Sequence, residues 1–338
     1  MGTTIVDIAK MAGCSTATVS RVLNSSGRVS DKSRAKVMDA IKKTGFKLNT
    51  NAKNLKVKEN NSIAIIVKGY NNLFFAPMIE QLQRLFLKHG METSIVFCDE
   101  FSNEGYTAET VIDEYKPRGI IMLGGYDNSY LRGIQSTSIP IIMLANDASC
   151  FKMSNISSFV TDDKAAGKYA IQKLIDLGHK KICILGGFKD LSAPTLARYT
   201  GAMEAFKENN LEFDESLQYV ESRYAIKSGY DAMKVLLRSN PDMTAVFAFS
   251  DAMAIGALKC LRDEKKRVPD DISIIGFDGI ELSKYTNPTL TTIRQDTMSM
   301  ASNGVQHLID ELENGIKPVY VKMAYQFEEG QSIKDISR

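Results

Sequence analysis

One short segment near the start of the chain gathers small polar side chains and an arginine on one face. The members of this face are Thr16, Ala17, Ser20 and Arg21. Their spacing places all four on one side of a helix. Arg can bind guanine O6 and N7 with both arms of its guanidinium, Thr can donate or accept a hydrogen bond, and Ala can contact a thymine methyl group. We therefore predict that this face enters the major groove of DNA.

Three short helices are needed to hold that face. Thr4 can cap the first helix, and Gly13 can end it in a left-handed turn. Ser15 can cap the second helix only two residues later, a gap that fits a tight helix-turn-helix. The third helix runs from a cap at Ser30 to Gly45. The apolar positions at helical spacing, which predict the shared core, are Ile5, Ile8, Ala9, Ala12, Val19, Val22, Leu23, Val37, Ala40 and Ile41.

The charge distribution supports a nucleic-acid partner. Residues 1–60 hold 12 Lys and Arg against 4 Asp and Glu, whereas the remainder holds 30 against 36. The overall charge of +2 hides this division. A basic head on an acidic body is typical of a module that neutralises phosphates. The alternative, that these cations only keep a surface solvated, loses weight because a helix-turn-helix lies beneath them.

Composition excludes several classes of protein. No stretch approaches the roughly 18 apolar residues of a membrane span, and a helix-turn-helix occupies the place of a signal peptide, so we expect a cytoplasmic location. The five Cys and three His are widely spaced, which argues against disulfides and metal sites. Phosphate-loop, dinucleotide and nucleophile-elbow motifs are missing from the sequence, so we predict no cofactor and no enzymatic activity.

A polar, basic stretch lies between Phe46 and Ser62. Within it, Asn49 could cap one or two helical turns, a hinge helix at about 49–56 that completes the predicted headpiece of residues 1–58. So short a helix is marginal in water. DNA or a partner chain would have to stabilise it.

From residue 62 onward, apolar strands alternate with amphipathic helices. The predicted strands are SIAIIV, TSIVF, GIIML and PIIML, then KICIL, TAVFAF and ISIIGF. The predicted helices lie near residues 76–89, 106–116, 129–136, 164–177, 195–209 and 251–265. Runs of Ile and Val without alternation indicate parallel strands covered on both sides. We predict a two-lobed, doubly wound α/β core, with a first lobe of about 62–160 plus 291–320 and a second of about 161–290 plus 321–338. The loops after SIAIIV, TAVFAF and ISIIGF should face a shared cleft.

The chain resembles the LacI/GalR family of bacterial transcriptional regulators along nearly its full length. The segments that carry the resemblance are TIVDIAKMAGCSTATVSRVLN, NTNAKNL, DLGHKKICILGG, RYTGAMEAF, FSDAMAIGALKCL, VPDDISIIGFDG and NPTLTTIRQD. The resemblance implies an α/β protein with an N-terminal helix-turn-helix, a hinge helix and a core like that of periplasmic sugar-binding proteins. It also implies a homodimer or tetramer on a pseudo-palindromic operator.

The resemblance assigns roles to headpiece residues. Thr16, Ala17 and Arg21 match positions that read base edges. The positions that match contacts near phosphates are Ser15, Thr18, Ser20, Asn24, Arg28 and Asn49. Leu55 matches the leucine that relatives insert into the minor groove at the operator centre, where it would kink the duplex. The predicted DNA-binding set is completed by Thr4, Ala52 and Lys53. Ser15 could equally serve as a helix cap, and Leu55 could pack on the core.

The resemblance also implies an effector site between the lobes. The matching residues are Asp162, Arg198, Tyr224, Asp251 and Asp278, and we add Tyr70 and Phe74 beside the segment NNLFF. Carboxylates accept sugar hydroxyls, a guanidinium donates to adjacent oxygens, and an aromatic ring covers the apolar face of a pyranose. Three of these residues also have a purely structural alternative: Asp251 could cap the helix that follows it, Arg198 could pair with a surface acid, and Asp278 could organise a turn with Gly279.

The predicted function is that of a repressor of carbohydrate-utilisation genes whose operator affinity is controlled by a small molecule, most simply a sugar. One alternative is a global catabolite regulator controlled by a phosphorylated carrier protein. Another is a transport-associated sugar receptor without DNA function, against which the basic headpiece argues. The sequence leaves the operator, the effector and the choice between induction and co-repression open.

Overall fold

The computed structural model describes residues 5–23, 30–44, 61–70, 72–125 and 131–337. Within these ranges, the side chains of residues 5–7, 17, 20, 21, 23, 31, 42, 43, 131 and 132 are outside the description. The chain divides into two compact units at residue 60. Among the helices described, none is long and apolar enough to cross a membrane.

The first unit is a helical headpiece. It consists of α1 (Ile5–Ala12), α2 (Thr16–Leu23) and α3 (Asp31–Thr44). Its core is formed by Ile8, Ala9, Ala12, Val19, Val22, Val37 and Ala40, with Cys14 and Ile41 at the edge. Apart from Cys14, these residues belong to the apolar positions that the helical spacing predicted, which confirms the helix-turn-helix.

The second unit contains two β-sheets. Its strands are β1 (Ser62–Lys68), β2 (Glu92–Cys98), β3 (Gly119–Leu123), β4 (Ile141–Leu144), β5 (Ile156–Thr161), β6 (Ile182–Gly186), β7 (Tyr219–Glu221), β8 (Ala245–Ala248), β9 (Ser273–Asp278), β10 (Thr291–Gln295), β11 (Tyr320–Met323) and β12 (Tyr325–Glu328). Its helices are α4 (Phe75–Lys88), α5 (Glu104–Tyr115), α6 (Leu131–Ile134), α7 (Asp163–Asp176), α8 (Ala193–Glu208), α9 (Glu215–Gln218), α10 (Ile226–Ser239), α11 (Asp251–Asp263) and α12 (Thr297–Asn314). Short 3₁₀ turns cover Lys189–Leu191 and Glu281–Tyr285.

Each sheet is the centre of one lobe. The first sheet has the order β11-β5-β4-β3-β1-β2 and its neighbouring strands are parallel. The second has the order β12-β10-β9-β8-β6-β7, and β12 is antiparallel to its neighbour β10. The predicted doubly wound α/β core is therefore confirmed, with one antiparallel edge strand that the sequence interpretation did not include.

Burial on both faces explains the continuous apolar runs. In β1, Ile63 and Ile65 belong to the apolar cluster on one side of the sheet, while Ala64 and Ile66 belong to the cluster on the other. Successive side chains of a strand point to opposite faces, so an unbroken run is buried only when helices cover both faces.

The lobe boundaries differ from the prediction at two places. Strand β10, residues 291–295, was assigned to the first lobe but pairs with β9 in the second sheet. Strand β11, which extends past residue 320, instead pairs with β5 in the first sheet. In the described chain, the polypeptide therefore passes from the first sheet to the second between β5 and β6. It returns to the first sheet between β10 and β11 and passes to the second again between β11 and β12.

Two helices of the second lobe approach each other unusually closely. A Cβ atom on Gly167 of α7 would lie 2.4 Å from the backbone oxygen of Arg198. On α8, a Cβ atom on Gly201 would lie 1.9 Å from the backbone oxygen of Lys164. Only glycine permits this contact, which brings α8, the helix of Arg198, against the start of α7.

Candidate DNA-reading helix and ligand cleft

The turn before α2 is built from residues suited to it. Gly13 adopts a φ of +59°, and the amide of Cys14 donates to the carbonyl of Ala9 at 3.1 Å. The amide of Thr18 donates to Ser15 Oγ at 3.2 Å, so Ser15 caps the helix as predicted. Val19, fully buried, fixes the inner face of α2 against the headpiece core.

The predicted DNA contacts lie partly within the described headpiece. Ser15 and Thr16 are exposed and Thr18 is half-buried. The residues on α2 whose side chains are outside the description are Ala17, Ser20 and Arg21. The predicted contacts outside the described residues altogether are Thr4, Asn24, Arg28, Asn49, Ala52, Lys53 and Leu55, and the proposed hinge helix at 49–56 lies outside them as well.

In the second unit a cleft of about 720 Å³, counted with its open mouth, lies between the two lobes. The first lobe lines it with Lys68, Asn72, Phe74, Phe75, Glu100, Gly124, Gly125 and Ala145. The second lobe lines it with Phe188, Leu191, Ser192, Pro194, Arg198, Ser222, Tyr224 and Asp278. Of the seven predicted effector residues, Phe74, Arg198, Tyr224 and Asp278 are thus brought together in one cleft.

Arg198 is held rigidly at the base of the second wall. Its Nε lies 2.7 Å from Asp163 Oδ1, its Nη1 donates to the carbonyl of Phe249 at 2.5 Å, and its Cζ sits 3.6 Å from the centre of the Phe277 ring. Arg198 is 5% exposed as a whole residue, so the charge of its guanidinium is satisfied by protein groups rather than by water. The alternative that Arg198 pairs with an acid holds, but the acid is buried rather than on the surface.

Asp278 ends β9 with an unusual backbone. Its φ is +113°, a conformation that residues other than glycine rarely adopt. Gln295 Nε2 donates to its Oδ1 at 2.8 Å. Burial raises the pKa of Asp278 to about 7, although Arg198 and Gln295 favour the charged form. A carboxyl in this state can accept or donate a hydrogen bond near neutral pH.

Aromatic side chains form much of the remaining wall. The hydroxyl of Tyr224 lies 2.5 Å from Thr195 Oγ1, which fixes the ring on the second lobe. Phe74 and Phe75 face it from the first lobe, with ring centres 5.3 Å apart. Flat apolar rings on two sides of a cleft suit a ligand with apolar faces and polar edges.

The first lobe contributes a buried ion pair. Lys68 Nζ lies 2.5 Å from Glu104 Oε1, and both side chains are buried. Gly125, with a φ of +88°, lies beside them, and a Cβ there would lie 1.6 Å from Glu104 Oε1. The sequence interpretation missed Lys68, although it directly follows SIAIIV, a strand whose end was expected to face the cleft.

Three predicted effector residues, Tyr70, Asp162 and Asp251, do not line the cleft. Tyr70 is exposed and stacks on Phe97 at 6.3 Å. Asp162 caps α7 by accepting from the amide of Ala165 at 3.2 Å. It also pairs with Lys322 at 3.1 Å.

Asp251 is fully buried beneath the cleft wall. Its carboxylate accepts from the amide of Ile280 at 2.8 Å and from Thr292 Oγ1 at 2.6 Å. These bonds tie the segments that follow β8 and β9 to the start of β10. The helix cap that was considered for Asp251 is instead Ser250, whose hydroxyl accepts from the amide of Met253 at 3.2 Å.

Other contacts join the lobes beside the cleft. Arg223 Nη1 lies 3.4 Å from Asp99 Oδ2, and its Cζ lies 4.5 Å from the centre of the Phe101 ring. Phe101 in turn packs edge-on against Phe188 at 5.3 Å. Arg223 and Phe188 belong to the second lobe, and Asp99 and Phe101 to the first, so these groups favour the arrangement in which the lobes are close.

Known protein families match a segment in each of the two units. Residues 4–49 match bacterial regulatory proteins of the lacI family, and residues 171–333 match the periplasmic binding protein-like domain. The HTH-type transcriptional regulator DegA of Bacillus subtilis (strain 168) is 35% identical over 308 residues, 89% of each chain. Catabolite control protein A of Priestia megaterium is 27% identical over 336 residues, 99% of this chain and 100% of that one.

Among solved structures, the transcriptional regulator CelR in complex with cellobiose has a TM-score of 0.72 and 25% identity, and the match covers 98% of this chain and 99% of that chain. The headpiece with its turn at Gly13, the two largely parallel sheets and the cleft between them all occur in this one chain, and the relatives named above match 89% to 99% of it. The protein belongs to the lacI family of bacterial regulatory proteins and is a DNA-binding transcriptional regulator.

Proposed function

We propose that the protein is a repressor of carbohydrate-utilisation genes and that a sugar bound between its two lobes controls its affinity for operator DNA. The single observation that supports a saccharide ligand is the set of side chains that line the cleft. It sets the aromatic rings of Phe74 and Tyr224 beside the carboxyl groups of Glu100 and Asp278. Rings cover the apolar faces of a pyranose and carboxylates accept its hydroxyls, so this set suits a saccharide.

Charge balance favours a neutral saccharide over an acidic one. The two cations in the cleft wall are already paired, Lys68 with Glu104 and Arg198 with Asp163. An anionic ligand would have to compete with these buried partners, and breaking a buried pair is costly. When ionised, Glu100 and Asp278 add acceptors that a hydroxyl can use but a carboxylate or phosphate cannot.

A thermal-shift screen of the full chain tests this proposal. The panel contains neutral mono- and disaccharides, with cellobiose first, and uronates, sugar phosphates and nucleobases as comparisons. A ligand at a hundred times its dissociation constant stabilises the folded state by about 2.7 kcal/mol. We expect a neutral saccharide to raise Tm in the wild type and to do so much less in Asp278→Asn. Stabilisation by nucleobases or sugar phosphates alone would contradict the proposal.

On DNA, we propose that α2 reads base edges with Thr16, Ala17 and Arg21. Ser15 and Thr16 are exposed on a rigidly capped helix, as such a role requires. The proposed phosphate contacts are Ser15, Thr18, Ser20, Asn24, Arg28 and Asn49, and Leu55 of the hinge segment would open the minor groove. One headpiece supplies few base contacts, so two copies on a pseudo-palindromic operator are needed for specific affinity.

The surface of the first lobe supports association with a second copy of the chain. Strand β2 lies at the edge of its sheet and exposes Phe97, while Leu87 of α4 is 74% exposed. Tyr70, stacked on Phe97, extends this apolar surface. Sedimentation velocity should give a dimer for the wild type and a weaker one for Phe97→Glu. A wild-type monomer at micromolar concentration that still protects a palindromic site would contradict this part.

A second candidate is a catabolite regulator that responds to a phosphorylated carrier protein. The observation that favours it is the likeness to catabolite control protein A over the whole chain. Operator binding measured with the phosphorylated and unphosphorylated forms of candidate carriers, each without sugar, separates the two regulatory inputs.

Under both candidate functions, we propose a cytoplasmic protein without catalytic activity, because its target is the bacterial chromosome and its relatives are transcriptional regulators.

A further inference from the structure

A chain of buried hydrogen bonds joins the cleft to the point where the polypeptide changes lobe. Thr161 Oγ1 donates to Gln295 Oε1 at 2.7 Å, and Gln295 Nε2 donates to Asp278 Oδ1 at 2.8 Å. All three side chains are buried. The Gln295 amide therefore has its oxygen and its nitrogen fixed by different partners, and the chain of bonds has one defined direction.

The partners belong to different lobes. Thr161 is the last residue of β5 in the first sheet, while Gln295 is the last residue of β10 in the second. The polypeptide crosses between the lobes immediately after each of them, so the Thr161–Gln295 bond spans the hinge. Rotation of one lobe about the other must lengthen or bend this bond, because its two atoms are attached to separate sheets.

The other end of the chain of bonds is the ligand-facing carboxyl. Asp278 keeps its φ of +113° and is followed by Gly279 with a φ of +69°. A backbone conformation of this kind persists only where the surroundings determine it. The side-chain bond from Gln295 is one such determinant, so the position of the Asp278 carboxyl in the cleft depends on Gln295.

We propose that Gln295 is a positioning residue that couples ligand binding at Asp278 to the angle between the lobes. This inference rests on the proposed function, namely that a hydroxyl-bearing ligand binds in the cleft. A ligand hydroxyl bonded to Asp278 changes the strength of the Gln295–Asp278 bond, and Gln295 passes the change to Thr161 across the hinge. A ligand shifts a conformational equilibrium only through such a difference between states.

The test uses the full chain with three substitutions. Thr161→Val removes the hinge bond and keeps the β-branched shape, and Gln295→Met removes both bonds. Thr292→Val is the matched control, since Thr292 is also buried and donates a 2.6 Å hydrogen bond to Asp251, but within the second lobe. Any loss caused only by removing a buried hydroxyl should appear equally in Thr292→Val.

The first measurement needs no ligand. Spin labels on Glu109→Cys and Lys227→Cys, both exposed and in different lobes, report the interlobe distance, with Cys14 and Cys150 changed to Ser. We expect Thr161→Val and Gln295→Met to broaden or shift the distance distribution and Thr292→Val to leave it unchanged. Equal distributions in all three variants would overturn the proposal. The distance measurement does not depend on sugar binding. It therefore tests the relay, meaning the hydrogen-bonded series Asp278–Gln295–Thr161, separately from the proposed function.

The second measurement uses cellobiose as the probe. The ratio of operator Kd with and without cellobiose gives the coupling between the two sites, and allosteric coupling typically amounts to about fivefold or more. We expect this ratio to fall close to one in Thr161→Val, while the Kd for cellobiose changes less than about threefold. Unchanged coupling in Thr161→Val would overturn the proposal. If cellobiose does not bind the wild type, the ligand assignment fails and the distance measurement decides the relay alone.

Discussion

The headpiece and the cleft place their functional side chains in opposite surroundings. In the headpiece, Ser15 and Thr16 are exposed, and the core beneath α2 is complete without them. In the cleft, Arg198 and Asp278 are buried and are bonded to Asp163 and Gln295. A residue of the first kind can change its chemistry without changing the fold, whereas a residue of the second kind cannot.

This contrast has a direct consequence for Arg198. Replacing Arg198 by Ala should weaken both the ligand response and the fold. The buried pair with Asp163 shows that the two effects are linked, because the carboxylate would remain in the interior without its partner. The following predictions test the contrast, starting with the largest effect.

Arg198→Ala should lower the free energy of unfolding of the second unit by about 3 to 5 kcal/mol, since it leaves Asp163 buried and uncompensated. Urea denaturation followed by circular dichroism measures this loss. The matched control is Arg267→Ala, because Arg267 pairs with Asp271 at 3.0 Å on the surface, where an ion pair contributes little. Similar losses in both variants would contradict the contrast between cleft and surface.

Asp278→Asn should alter the pH dependence of stability. Burial raises the pKa of Asp278 to about 7. Between about pH 4 and pH 7 the unfolded state therefore releases a proton that the folded state keeps, and the free energy of unfolding falls as pH rises through this window. The variant lacks this contribution, so its stability should decline less between pH 4.5 and pH 7.5. Parallel pH profiles for wild type and variant would show that the carboxyl ionises normally.

Arg21→Ala should weaken operator binding by about 1 to 3 kcal/mol and relax the preference at one base pair in each half-site. Tm of the headpiece should remain unchanged, in contrast to the result for Arg198. Gel-shift titration against an operator and its single-base variants measures both effects. An equal loss on every sequence would identify Arg21 as a phosphate contact instead.

The smallest effect concerns Leu55, which lies outside the described residues. Leu55→Ala should reduce bending of the operator and weaken specific binding, while ligand binding to the cleft stays as in the wild type. A circular-permutation gel shift reports the bend. Full bending in the variant would leave Leu55 as an ordinary linker residue.

Periodicity and apolar runs were sufficient to predict the main elements. The helix-turn-helix, β1 and β4 follow from side-chain spacing, because burial on one or both faces dictates which positions are apolar. Strand β5 was not predicted, because its sequence contains Ser157 and Ser158 and so lacks a continuous apolar run. Both are buried: Ser157 Oγ lies 2.8 Å from His307 Nε2, and Ser158 Oγ accepts from the amide of Ala148. Such long-range partners satisfy polar groups in ways that a local pattern cannot reveal.

The cleft could be predicted only in part for a related reason. The resemblance pointed to Asp162, yet the neighbouring Asp163 pairs with Arg198, since Asp162 caps α7 and the next side chain turns inward. Asp251 follows a strand end, as expected, but turns beneath the wall to Thr292 and Ile280. Gln295 lies in the quoted segment NPTLTTIRQD, and nothing in its local sequence indicates that its partners come from two lobes.

The segment between β6 and α8 offers a practical route to new ligand responses. It lines the cleft with Phe188, Leu191 and Ser192, and the 3₁₀ turn at its centre contains no buried residue. These side chains lie outside the apolar clusters of the lobe and outside the ion pair of Arg198. A sensor library that varies Leu191, and keeps Ser192 as the cap of α8 and Phe188 as the contact to Phe101, would therefore sample different binding surfaces without disturbing the contacts that join the lobes.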